Sequence, residues 1–192
     1  MSMGRLPWIA MFSQTGAEIA NIAEQLNRWP DLIIVNERNI ERTIDSRLQG
    51  KNVVFVNNKP SESELHELLS RFKSPVVTLH GWLRIVPEAI CHQYQIYNGH
   101  PGLINKFPEL KGKDPQLRAI QGGYEKAGCV IHKVTPGVDE GKILDYTSFS
   151  IKGLVEQECF RIFRQVSLKM WVRLLGGILK PLTKSPYEQK KI

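Results

Sequence analysis

The chain has 192 residues, 42% of them hydrophobic and 23% charged, and its formal net charge is +7. This length fits one domain with a sizeable core, and the composition is that of an ordinary globular protein. No apolar run is long enough to span a bilayer, and no secretory signal is recognisable at the start. The charge favours anionic partners, such as a phosphorylated substrate or nucleic acid, although a solvated basic tail would give the same total.

The three cysteines bear on the cellular compartment. Cys91, Cys129 and Cys159 are odd in number and widely spaced, which favours neither a disulfide framework nor a metal site. The histidines show no HxH or HExxH spacing, so we expect no metal. We expect buried, reduced thiols and a cytoplasmic protein.

Four short apolar runs in the first eighty residues alternate with segments of helical spacing. Continuous β-rich runs of this kind are typical of strands buried on both faces of a parallel sheet. We therefore predict βαβ units with strands at Trp8–Phe12, Leu32–Val35, Val53–Val56 and Pro75–Leu79.

The pattern changes after Pro101. A loop rich in Pro, Gly and Lys leads to a short helix that ends at Gly122-Gly123. Two further runs, Cys129–Val134 and Ile143–Phe149, are joined by a turn-rich loop. This arrangement predicts an antiparallel pair of strands.

A long helix and a basic tail are predicted at the C-terminal end. Apolar residues recur at helical spacing from Leu154 to Leu175, and Gly176-Gly177 is predicted to end or break that helix. We expect one domain over residues 1–179 and a flexible basic tail over residues 180–192.

Polar loops follow several predicted strands. In an open parallel sheet, ligands bind beyond the carboxyl ends of the strands. Ser13–Gly16, Gly81–Arg84 and the stretch around Asn98 and His100 are expected to converge at that edge. The first of these loops joins a strand to a helix, which suits a phosphate; helix capping by its hydroxyl groups is the alternative.

Three side chains carry candidate chemistry. Asn98 and His100 alternate along an extended backbone, so they share a face and are suited to stabilising an oxyanion or moving a proton. Asp139 lies in a Gly- and Pro-rich loop and would orient the His100 ring if the loop folds onto it. Local turn chemistry is the alternative for all three. Two other histidines, His80 and His132, fit either the site or the core.

The order of several motifs carries a family resemblance. The motifs are Gly81-Trp82-Leu83-Arg84-Ile85-Val86-Pro87, Asn98-x-His100-Pro101-x-Leu103-Ile104-x-x-Phe107-Pro108, Gly128-Cys129-x-x-His132-x-Val134 and Val138-Asp139-x-Gly141-x-Ile143. With these motifs, over about residues 7–175, the chain resembles the folate-dependent formyltransferases. That family includes glycinamide ribonucleotide transformylase, methionyl-tRNA formyltransferase, sugar N-formyltransferases and formyltetrahydrofolate hydrolase.

The resemblance implies an α/β fold: a Rossmann-like, mostly parallel sheet flanked by helices, with an antiparallel C-terminal strand extension and a long C-terminal helix. It implies 10-formyltetrahydrofolate as the formyl donor and Asn98, His100 and Asp139 as catalytic residues. The implied pterin-binding residues are Leu83, Arg84, Val86, Val134, Thr135, Gly137 and Val138. The implied acceptor-binding residues are Ser13, Gln14, Thr15 and Pro108.

Departures from the family pattern concern mainly the acceptor. Phe12 and Gln14 stand in a first loop that is Gly-rich in the transformylase, Gly102 replaces a serine, and Gln165 or Arg164 falls where the transformylase has a glutamate. We expect formyl transfer to the amine of a small, phosphorylated acceptor by a monomer or homodimer. That acceptor would be glycinamide ribonucleotide, an amino-sugar nucleotide or a modified nucleotide. The alternatives are hydrolysis of formyltetrahydrofolate and an inactive, nucleic-acid-binding derivative of the fold.

Overall fold

The computed structural model describes residues 5–36 and 43–180. It contains one seven-stranded sheet with the order β3-β2-β1-β4-β5-β6-β7. The strands are Trp8–Phe12 (β1), Leu32–Asn36 (β2), Val53–Val56 (β3), Val76–His80 (β4), Gln95–His100 (β5), Lys126–Lys133 (β6) and Ile143–Ser150 (β7). The pairs among β1 to β5 are parallel, whereas β6 pairs antiparallel with β5 and with β7. The predicted mostly parallel sheet with an antiparallel extension is confirmed.

Helices cover both faces of this sheet. They are Ala17–Leu26 (α1), Glu62–Leu69 (α2), Glu88–Gln93 (α3), Pro115–Gln121 (α4) and Glu156–Ile178 (α5). The residues of β1 alternate between two hydrophobic cores, which explains why the whole strand is apolar. Trp8, Ala10 and Phe12 pack with α1 and α5, while Ile9 and Met11 pack with α2 and α3.

The strand order places a topological switch point between β1 and β4. Strand β1 lies between β2 and β4, so the chain reverses its direction of progress through the sheet at β1 and β4. In doubly wound folds, ligands bind at such a switch point, beyond the carboxyl ends of the strands. Phe12, His80 and His100 are the last residues of β1, β4 and β5, and they mark this carboxyl edge.

The prediction that Gly176-Gly177 ends or breaks the long helix is wrong, since both glycines lie inside α5, which ends one residue later at Ile178. Two glycines inside a helix cost about 1 kcal/mol each relative to alanine. Tertiary packing offsets this cost because Leu175 and Leu179 on either side are buried in the core. Beyond Lys180, the predicted tail lies outside the residues that the structure describes.

The structure bears on two sequence-based expectations, one about the cysteines and one about membrane-spanning segments. All three cysteines are buried and unpaired, as predicted. Within residues 5–36 and 43–180, no helix has the length and apolar character needed to cross a membrane.

Candidate active site

Strand β5 and the loop between β6 and β7 bring three predicted residues together. Asn98 and His100 occupy alternate positions of β5, and both side chains reach the Asp139 carboxylate. The His100 Nδ1 atom lies 3.2 Å from Asp139 Oδ2, and the Asn98 amide donates to Asp139 Oδ1 at 3.5 Å. The predicted shared face is confirmed, and the loop does fold onto the imidazole.

Asp139 is the centre of this polar cluster. Its backbone adopts the left-handed conformation with φ 52°, which Asp tolerates better than most residues. The backbone N–H of Gly112 donates to Oδ2 at 2.9 Å. Burial by itself raises the pKa of Asp139, but the contacts with His132, His100 and the Gly112 N–H together lower it below its usual range. The carboxylate is therefore ionised at neutral pH.

His100 is enclosed by two oxygen acceptors. Its Nε2–H donates to the Leu110 carbonyl at 2.9 Å, while Nδ1 faces Asp139. The protonated ring satisfies both contacts and the neutral ring satisfies one. Burial lowers the pKa of His100 below its usual value, and the Asp139 charge opposes that effect without cancelling it. Because both ring nitrogens face oxygen acceptors, this ring is placed to hold or release a proton on the Asp139 side.

His132 is a fourth member of the cluster. From the sequence, His132 fitted either the site or the core. The structure places its ring against both Asn98 and Asp139. Its Nε2 atom lies 3.2 Å from Asn98 Nδ2 and 3.3 Å from Asp139 Oδ1, and its Nδ1–H donates to the Lys133 carbonyl at 3.0 Å. The signal that pointed to it was its motif position, two residues before Val134.

Two glycines keep this part of the site compact. An added Cβ at Gly99, between Asn98 and His100, would lie 2.7 Å from Trp171 Nε1. At Gly102 an added Cβ would lie 2.9 Å from His100 Nε2. Gly102, which replaces the family serine, therefore lets the backbone pack directly against the His100 imidazole.

The loops assigned to the pterin present apolar surface at the carboxyl edge. Leu83, Ile85 and Val138 are among the exposed large hydrophobic residues, while Val86 and Val134 pack into the same core beneath them. The family resemblance implies that these loops hold the formyl donor.

The remaining predicted donor residues take different positions. Arg84 turns away, since its guanidinium donates to Asn58 and to the Leu83 carbonyl. Thr135 is half-buried, and a side chain at Gly137 would collide with Glu140. The Val134 N–H is already bonded to the Ile96 carbonyl at 2.8 Å.

The predicted acceptor residues of the first loop are largely engaged within the protein. Ser13 is 3% exposed, and its hydroxyl accepts from the Leu83 N–H at 2.9 Å. The Thr15 hydroxyl accepts from the N–H of Ala17, the first residue of α1, at 3.3 Å, but the N-cap of α1 is Gly16, with no side-chain capping bond. Gln14 is exposed beside Gly81. Ser13 thus joins two loops rather than facing a ligand, because its hydroxyl is buried between them.

Two expectations about the site remain: the acceptor residue Pro108 and the absence of a metal. Pro108 is exposed and begins a single 3₁₀ turn, Pro108–Leu110, that presents the Leu110 carbonyl to His100. Among residues 5–36 and 43–180, no group of three or more His, Cys, Asp or Glu side chains is arranged so that it could hold a metal ion.

Comparison with known proteins gives the family. The formyl transferase family model matches residues 12–158, which is most of the chain. The protein belongs to the formyl transferase family. Its cluster of Asn98, His100 and Asp139 lies within the matched region.

Curated relatives match over part of their length. Methionyl-tRNA formyltransferase of Fervidobacterium nodosum is 27% identical over 140 residues, which cover 72% of this chain and 43% of that protein. The trifunctional purine biosynthetic protein adenosine-3 of Drosophila melanogaster is 28% identical over 92 residues, covering 47% of this chain and 7% of that protein. This chain therefore spans less than half the length of these relatives.

Solved structures share the fold at low identity. Phosphoribosylglycinamide formyltransferase from Campylobacter jejuni superposes with a TM-score of 0.79 at 20% identity, covering 91% of this chain and 98% of that one. The enzyme of the same name from Streptococcus pneumoniae gives 0.78 at 19%, covering 91% and 99%. These matches establish the fold.

Proposed function

We propose that this protein transfers the formyl group of 10-formyltetrahydrofolate to the amine of a small acceptor. The observation that carries the proposal is the meeting of Asn98, His100 and Asp139 at the carboxyl edge of the sheet. An amide donor, an imidazole and an ionised carboxylate are the groups that acyl transfer to an amine requires.

The donor fits the apolar surface of two loops. We infer that the pterin lies between the segment that follows β4, with Leu83 and Ile85, and the loop that carries Val138. Flat aromatic ligands bind surfaces that are mostly apolar and have a few polar groups to fix their orientation. Backbone groups of these loops would supply those contacts, because the Arg84 side chain is turned towards Asn58.

The reaction follows from the polar cluster. The neutral amine of the acceptor attacks the formyl carbon, a C–N bond forms, and the formyl oxygen becomes an oxyanion. Asn98 and protonated His100 stabilise that oxyanion. The amine proton passes to N10 of the leaving tetrahydrofolate, with Asp139 ordering the water that carries it, and the N10–formyl bond breaks. Asp139 also favours the charged form of His100.

The acceptor we propose is small and anionic. The net charge of +7 would attract such a substrate over a long range. Buried, unpaired cysteines fit a reaction that takes place in the reducing cytoplasm.

The test is an incubation of the full chain with 10-formyltetrahydrofolate, with and without a panel of amines. The panel contains glycinamide ribonucleotide, amino-sugar nucleotides and modified nucleotides, and the products measured are tetrahydrofolate, formate and formyl-amine. Acceptor-dependent tetrahydrofolate is expected. Formate release at the same rate without any amine would instead support the hydrolase, in which Asp139 would activate water. Absence of folate binding would overturn both.

A further inference from the structure

A second polar cluster lies at the carboxyl edge, on the opposite side of Gly99 from the Asp139 cluster. Glu18, in the first turn of α1, accepts a hydrogen bond from Ser167 of α5 at 2.5 Å and lies 2.9 Å from His80 Nδ1. The His80 Nε2 atom lies 2.8 Å from Thr78 Oγ1, and its ring packs on Trp171 with centroids 4.7 Å apart. The mechanism above uses none of these groups.

Glu18 and His80 differ in what they present to a ligand. The His80 side chain is 1% exposed, whereas the Glu18 side chain is 32% exposed. Burial alone raises the pKa of Glu18, but the hydrogen bonds from His80 and Ser167 and the charge of His80 lower it below its usual range. A ligand at this point therefore meets an ionised carboxylate, with the histidine behind it.

The position of Glu18 makes the first loop less suited to binding a phosphate. The N-terminus of a helix attracts anions through its exposed N–H groups and its dipole, and an acidic side chain in the first turn occupies that favourable position. The Ser13 N–H is also bonded to the Gly81 carbonyl, and the Ala17 N–H is bonded to Thr15. The loop thus offers a phosphate fewer donors than the sequence suggested, beside a fixed negative charge.

We propose that Glu18, held by His80 and Ser167, selects acceptors that direct hydroxyl or ammonium groups, and not a phosphate, towards the first loop. The inference rests on the proposed function and refines its acceptor. Each carboxylate oxygen accepts about two hydrogen bonds, so Glu18 retains capacity for a ligand beyond Ser167 and His80. Any phosphate of an anionic acceptor then lies elsewhere along the site.

The experiment compares two ligands that differ by one phosphate group. Glucosamine and glucosamine 6-phosphate are titrated into the full chain without a formyl donor, and the amide signals of Gln14 to Ile19 are followed by NMR. Glu18→Gln removes the charge, Ser167→Ala removes one hydrogen bond but keeps the charge, and Glu24→Gln is the control on the exposed part of α1. Thermal unfolding confirms that each variant is folded.

In the wild-type protein, glucosamine is expected to move the amide signals of Gln14 to Ile19, because its hydroxyl or ammonium groups meet the Glu18 carboxylate. Glu18→Gln should shift the ratio of the two dissociation constants about tenfold in favour of the phosphate, as expected when a neighbouring like charge is removed. Ser167→Ala and Glu24→Gln should leave the ratio within about threefold of the wild-type value.

Two results would overturn the inference: a ratio that does not shift in Glu18→Gln, or no response of these amides to glucosamine. Because no turnover is involved, these outcomes are distinct from a failure of formyl transfer, which the incubation with donor and amine reports.

Discussion

The two sides of the carboxyl edge use their polar groups in different ways. On the Asp139 side, formed by β5, β6 and the loop after β6, Asn98, His100 and His132 all turn towards one carboxylate. On the first-loop side, formed by the loop after β1 and by α1, Ser13 and Thr15 bind backbone N–H groups of the protein itself. We propose that the same sheet edge supports chemistry on one side and selection of the acceptor on the other.

The largest expected effect is the loss of the central carboxylate on the Asp139 side. Asp139→Asn should lower kcat/KM for formyl transfer by about 10²- to 10⁴-fold, the usual contribution of a positioned proton-transfer group. Asn tolerates the left-handed backbone at this position, so the fold is retained.

The matched control for this change is Asp114→Asn, at an exposed aspartate with φ 51°. It should leave kcat/KM unchanged in the same assay of tetrahydrofolate release. A folded Asp139→Asn protein with full turnover would remove Asp139 from the mechanism.

A second change tests how closely the two sides are packed against each other. Gly99→Ala would place a Cβ against Trp171, and overpacking of this kind costs about 1–3 kcal/mol of unfolding free energy. Turnover should fall as well, because Asn98 and His100 flank the displaced residue. Urea unfolding and the formyl-transfer assay measure the two effects.

Gly177→Ala provides the opposite case within α5, because an added Cβ there meets no neighbouring atom within 4 Å. It should raise the unfolding free energy by about 0.5–1 kcal/mol. If both alanine variants were equally stable, the close approach of Trp171 to β5 would be unimportant.

A smaller effect is expected on the first-loop side. Ser13→Ala removes the acceptor of the Leu83 N–H and should cost about 0.5–1.5 kcal/mol of unfolding free energy. Thr15→Ala, at an exposed residue, should cost within about 0.5 kcal/mol. Chemical denaturation compares the two, and a larger loss in Thr15→Ala would contradict the assignment of Ser13 as the residue that joins the loops.

The pH dependence of His100 is the finest test of the Asp139 side. Its pKa lies below the usual value, so the folded protein takes up this proton less readily than the unfolded chain. The corresponding stability is present above the usual histidine pKa and is lost as pH falls towards the lower folded value. NMR titration of the ring measures that pKa.

Asp139→Asn should lower the pKa of His100 further, since it removes the opposing negative charge. An unchanged or raised value would show that the carboxylate does not act on the ring.

Several features could be predicted from local sequence because they depend on neighbouring residues. The apolar runs fixed the positions of the strands, and the alternation of Asn98 and His100 along β5 placed both on one face. The motif order led to the family and to Asp139. The end of α5 was missed because burial of Leu175 and Leu179 outweighs the low helix propensity of two glycines.

The sequence by itself therefore determined the parallel sheet, its antiparallel extension and the choice of Asn98, His100 and Asp139 as the candidate residues. Only the tertiary structure decided that His132 joins them, that Ser13 is buried between two loops, and that Glu18 meets His80 and Ser167. The physical reason is distance along the chain: Glu18 lies 62 residues from His80 and 149 from Ser167. No local pattern encodes such contacts, because they form only where β4, α1 and α5 pack together.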